Sequence, residues 1–89
     1  MEGVEISAHQ IRAYRALAGA DRWLTSGEIA LGAGIAERTA REVARKFVEY
    51  GLAEVRRGFP ANLYRLVRET PRDHEYLARL RETDEAMGE

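Results

Sequence analysis

Apolar and polar positions change their period several times along the chain, and each change marks an element. Ile11, Tyr14, Leu17 and Ala18 recur at offsets of three and four, the spacing of one face of an α-helix. Ser7 stands at the N-cap with Gln10 three residues on, and Ile6 and Ile11 hold the flanking positions of a hydrophobic staple. A first helix over residues 8–18 is expected, ended by Gly19 in a left-handed conformation. The same signature recurs in LTSGEI, where Thr25 caps, Glu28 completes the capping box, and Leu24 and Ile29 form the staple. This second helix is short, over residues 26–31, with Gly32 and Gly34 breaking it. Trp23 and Leu24 precede it in extended chain and suit a brief strand, with Trp23 a core or dimer contact in preference to a base-stacking residue.

The stretch AERTAREVARKFVEYG predicts a third helix that stops at Gly51. Its apolar stripe is Ala40, Val43, Ala44, Phe47 and Val48, and Arg38, Arg41 and Arg45 share another side. LAEVRR and LYRLVR then alternate as strands do, setting Leu52 and Val55 against Leu63 and Leu66, and GFPAN between them is rich in turn formers. A hairpin with a short loop follows. Thr70 is expected to cap a last helix with Pro71 in its first position and Asp73 near the positive end of its dipole. Tyr76, Leu77, Leu80 and Met87 would form its narrow apolar stripe.

At 89 residues the chain is one domain at most, and such a chain buries only about 60% of the surface its unfolded form exposes. A second copy would help so small a core. Hydrophobic residues at 45% argue against disorder along its length. Without cysteine there is no disulfide or thiolate metal site, and His9 and His74 lack further ligands at metal spacing, so no metal or cofactor is expected. No apolar run is long enough for a membrane span, and MEGVEIS lacks the regions of a signal peptide; a soluble, cytoplasmic protein is expected.

The net charge of −1 conceals a division. Residues 35–68 carry eight basic residues against four acidic ones, whereas residues 69–89 carry three against seven. Basic charge is thus concentrated on the third helix and the hairpin, and an acidic tail masks it.

The resulting order is mainly α with a small β-hairpin: helix, brief strand, short helix, glycine turn, longer helix, hairpin, helix. Centred on LTSGEIALGAGIAERTAREVARKFVEYGLAEVRRG, it resembles the winged helix-turn-helix domain of bacterial transcription regulators such as the MarR, ArsR and IclR groups. The resemblance covers residues 6–68 and is carried by LTSGEIA, by GIAERTAREVARKFVEYGL and by the wing VRRGFPANLYRL. A domain over residues 1–69 is expected, and a C-terminal helix over 70–89 with an acidic tail is the expected dimerisation element, because its Tyr76, Leu77 and Leu80 stripe has little else to cover once the small core is closed.

The resemblance implies that the third helix enters the major groove of double-stranded DNA, while the wing meets a phosphate strand or the adjacent minor groove. Glu37, Arg38, Thr39 and Arg41 would then face the bases. Arg38 and Arg41 are the strongest base readers, because a bidentate guanidinium–guanine pair gives ~1–3 kcal/mol of discrimination. Arg45, Lys46, Arg56, Arg57, Asn62 and Arg65 would contact the backbone, joined by Thr25, Ser26 and Gly27 at the second helix N-terminus. The chain departs from the pattern at Ala36, which cannot cap the third helix, so Glu37 either complements the helix dipole or accepts from a cytosine amine. The wing is short, and its Phe59 also suits packing on a partner.

Two other classes compete with a homodimeric DNA-binding regulator. A winged-helix module that contacts another protein is favoured by the acidic tail and the glutamate at the start of the third helix, and the arginine row is equally readable as a solvated face paired with Glu42 and Glu49. An enzyme is not expected: paired carboxylates, an activated nucleophile or a phosphate-cradling loop are missing, and the glycines of GAG punctuate helices.

Overall fold

The computed structural model describes residues 6–69 and 74–86. It contains α1 (Ala8–Ala20), α2 (Ser26–Ala33), α3 (Glu37–Glu49), β1 (Ala53–Arg56), β2 (Leu63–Leu66) and α4 (Glu75–Ala86). The caps expected at Ser7 and Thr25 form. The Ser7 hydroxyl accepts from the Gln10 N–H, and Thr25 and Glu28 make the reciprocal pair of a capping box. Ala36 makes no side-chain cap, as its methyl group requires.

Helix ends differ from expectation at two places. Gly19 and Gly32 lie inside their helices, because a glycine lowers helix propensity by only about 1 kcal/mol and packing overrides it. Asp21 ends α1 instead, in the left-handed region at φ 49°, which its short polar side chain tolerates. Gly34 at φ 69° ends α2. Gly51 at φ 74° closes α3 in a Schellman arrangement: its N–H bonds Val48, and the Leu52 N–H reaches back to Phe47.

The two strands pair antiparallel, and Leu24 joins them through an isolated bridge to Tyr64, with backbone bonds of 2.8 and 2.7 Å. One core unites all these elements, with Leu17, Ile29, Phe47, Leu52 and Tyr76 among its largest side chains. On α1, Gln10 and Ala13 are buried where Ala18 was expected, and Ala18 is exposed.

The largest correction concerns α4. Tyr76, Leu77 and Leu80 are buried inside the chain itself, at 0%, 7% and 0% exposure, so they are not a free stripe for a dimer. The Tyr76 ring lies 4.5 Å from that of Tyr50 and 6.0 Å from that of Phe47, and its hydroxyl donates to the buried Gln10 Oε1 at 2.7 Å. An apolar stripe shows only that something must cover it; here α1 and α3 do. Arg15 of α1 and Asp84 of α4 add an ion pair across the same contact.

The expected features at Thr70, Pro71, Asp73 and Met87 lie outside the described residues. In the described part His74 acts as the cap of α4, its Nδ1 accepting the Leu77 N–H at 3.1 Å. That bond leaves the proton on Nε2, which donates to the Tyr50 carbonyl at 2.7 Å and ties the start of α4 to the end of α3. Among the described residues no helix is long and apolar enough to cross a membrane, and no group of three metal-ligating side chains gathers.

Candidate nucleic-acid interface

Strand register sorts the hairpin side chains into two faces. Val55 opposes Tyr64 and Ala53 opposes Leu66 on one face; Glu54 opposes Arg65 and Arg56 opposes Leu63 on the other. The grouping of Leu63 with Leu66 from sequence was therefore incorrect, since residues three apart point to opposite sides of a strand.

The Tyr64 face looks toward α3 and forms a groove with it. Arg41, Arg45 and Val48 of α3 line a hollow of 360 Å³ together with Val55, Arg57, Asn62 and Tyr64 of the hairpin. A second hollow of 280 Å³ continues it toward the first turns of α2 and α3, sharing Arg41, Asn62 and Tyr64 and adding Ser26, Glu37 and the wing residues Gly58 to Ala61, Phe59 apart. Three guanidinium-bearing residues and an amide thus converge on one trough, whose polar rim stands over the apolar Val48 and Val55.

The charges of α3 and the wing are unequally engaged, and Arg38 and Lys46 are not among the residues that line the two hollows. Arg41 pairs with Glu37 at 3.3 Å and Arg38 with Glu42 at 3.7 Å, both one helical turn apart and both exposed. Arg45, Lys46 and Arg57 have no acidic partner among the described residues. Of the pairing expected for α3, Arg38–Glu42 forms. Thr39 is half-buried.

Glu37, read from the sequence either as a complement to a helix dipole or as a base contact, lies at a helix N-terminus. Its carboxylate lies over the N-terminus of α2, within 4.0 Å of where a Cβ on Gly27 would sit, and it accepts from the Ser26 hydroxyl at 3.5 Å. Positive dipole ends attract anions, so Glu37 fills with its own charge the position at which a phosphate would meet α2. Thr25 is also committed internally: its N–H donates to Glu28 at 2.9 Å and its hydroxyl accepts from the Glu28 N–H at 3.1 Å. This backbone bond, followed by the nearby Arg22 guanidinium, holds the Glu28 carboxyl below the usual carboxylate range.

Arg56 and Arg65, expected beside Arg57 as phosphate contacts, face the other way. Their guanidinium carbons stand 4.6 and 4.5 Å from the centre of the Trp23 ring, and Arg65 also pairs with Glu54 across the ladder at 3.3 Å. Trp23 is accordingly neither a core residue nor a free stacking surface. It braces the outer face of the hairpin. The parity of the strand separates Arg56 from Arg57, a signal that the dipeptide alone does not carry.

Helices α2 and α3 joined by a tight glycine-containing turn, followed by a hairpin that folds back to form a trough against α3, decide the fold. It is a winged helix-turn-helix. No protein-family model and no curated protein sequence matches the chain. Solved structures do. TrmBL2, an archaeal chromatin protein described as having a novel mode of DNA binding, matches with a TM-score of 0.64 and 28% identity over 97% of this chain and 34% of its own. The PcaV transcriptional regulator of Streptomyces coelicolor, solved with its natural ligand, matches at 0.63 and 25% over 92% of this chain and 62% of its own. BpsR of Bordetella bronchiseptica, whose DNA binding is regulated by 6-hydroxynicotinic acid, matches at 0.66 over 99% of this chain and 70% of its own; at 17% identity it shows the fold alone. The winged helix-turn-helix here spans less than two thirds of TrmBL2 and of PcaV.

Proposed function

We propose that this winged helix-turn-helix binds double-stranded DNA as a transcription regulator, with α3 in the major groove and the wing on the flanking backbone or in the minor groove. The observation that carries this is the trough: Arg41, Arg45, Arg57 and Asn62 meet along a groove between α3 and the wing. A phosphate strand separates the major from the minor groove, so a protein that places one element in each must straddle that strand with donors. Arg38, Thr39 and Arg41 at the start of α3 serve as base readers; Arg45, Lys46, Arg57 and Asn62 serve as phosphate contacts. The likeness to TrmBL2 and PcaV supports the same reading. A regulator of this kind occupies two half-sites about one helical turn apart as a homodimer. It needs no catalytic step.

A second reading, docking to another protein, is favoured by Leu31, which is 86% exposed on α2 beside a shallow hollow that also includes Ala16, Ala20 and Leu24.

Fluorescence anisotropy with random-sequence duplex DNA across a salt series, beside sedimentation to count protomers, separates the two. Micromolar binding that weakens steeply with salt supports DNA as the partner. A folded protein that fails to bind at low salt refutes it and leaves the protein partner.

A further inference from the structure

We propose that Phe59 is an apolar wedge that enters the minor groove of the bound duplex and partly unstacks one base step; this rests on the DNA-binding reading above. Phe59 is 98% exposed at the apex of the wing, and none of the described residues covers its ring. The apex around Phe59 is uncharged: GFPAN holds no cation, and its one polar side chain, Asn62, lies at its end and lines the trough. Its geometry is held at both levels. The Gly58 N–H donates to Asn62 Oδ1 at 3.2 Å, and a Cβ on Gly58 would meet the Ala61 carbonyl oxygen at 3.2 Å, which marks a tight turn. Below it, Trp23 braces Arg56 and Arg65 on the outer face of the strands. The ring is therefore carried on a stiff arm.

Position selects its target. Arg57 and Asn62 rim the trough on the side of α3, so a phosphate strand lying there passes beneath the wing. The apex reaches beyond that strand, and with α3 in the major groove the surface on the far side is the minor groove. Apolar side chains inserted there pry neighbouring base pairs apart, most readily at flexible pyrimidine–purine steps. The wedge thus adds selectivity for deformable steps at a position with no hydrogen-bonding readout.

The test uses the full chain and short A·T-rich duplexes carrying 2-aminopurine at a TA step placed at successive positions, with binding followed by anisotropy and unstacking by 2-aminopurine fluorescence. The wild-type protein should raise the fluorescence several-fold at one position. F59A should bind with the same salt dependence and give no rise, while F59L should keep part of it. Wild-type binding without a rise at any position, or an undiminished rise with F59A, overturns the wedge and leaves DNA binding intact. Failure of the wild-type protein to bind any duplex overturns both.

Discussion

Arg56 and Arg57 are adjacent in sequence, yet DNA binding through the trough should depend on only one of them. Arg57 lines the trough, whereas Arg56 lies over Trp23 on the opposite face of the hairpin. Suppose Arg45, Lys46 and Arg57, the cations assigned to phosphates, each neutralise one. With a slope of about −0.9 in log affinity against log salt per contact, wild-type affinity should then fall about 40-fold between roughly 50 and 200 mM salt. Arg57→Ala should reduce that fall to about 12-fold by removing one contact. Arg56→Ala should leave the slope unchanged, its loss being the stacking on Trp23, worth about 0.5–1 kcal/mol of stability at an exposed site. Anisotropy titrations of both variants on one random duplex measure this, with circular dichroism to verify folding. Equal flattening by the two substitutions, or none by Arg57→Ala, would refute the assignment of the trough as the phosphate path.

Three further outcomes are expected. Glu37→Gln should tighten binding to duplex DNA several-fold at low salt, because it releases Arg41 and removes a carboxylate from the N-terminus of α2 while keeping an acceptor for Ser26; weaker binding in the same titration would show that Glu37 itself contacts bases. Tyr76→Phe should destabilise the fold by about 1–3 kcal/mol by leaving the buried Gln10 carbonyl without its donor, read as a drop of about 4–8 °C in Tm per kcal/mol for a domain of this size; an unchanged Tm would mean that Gln10 finds another partner. For pH, Glu28 has a lowered folded-state pKa, so its stabilising effect is complete above the ordinary carboxylate value and is lost as pH falls through the lowered one. Melting curves on the acid side should therefore be less pH-dependent for Glu28→Gln than for the wild type, and parallel curves would sink that attribution.

Interactions that span a single turn were legible in the sequence. The Ser7 cap, the Thr25–Glu28 box and the stop of α3 at Gly51 are properties of three to six consecutive residues, and the apolar stripe of α3 follows from its period alone. The concentration of arginines on α3 and the hairpin was also legible, as was the order of elements that produces the winged helix-turn-helix. Tertiary structure decided which surfaces remain for function. Gln10 and Tyr76 are 66 residues apart, and their meeting turns the α4 stripe from a dimer surface into core. Glu37 covers the start of α2 only because the turn between the helices brings those two N-termini together. Strand register, set by which face of the hairpin α3 covers, sends Arg57 into the trough and Arg56 onto Trp23. Spacing encodes what a residue can do with its near neighbours; packing between distant elements determines which side chains are already engaged and which are left to meet a partner.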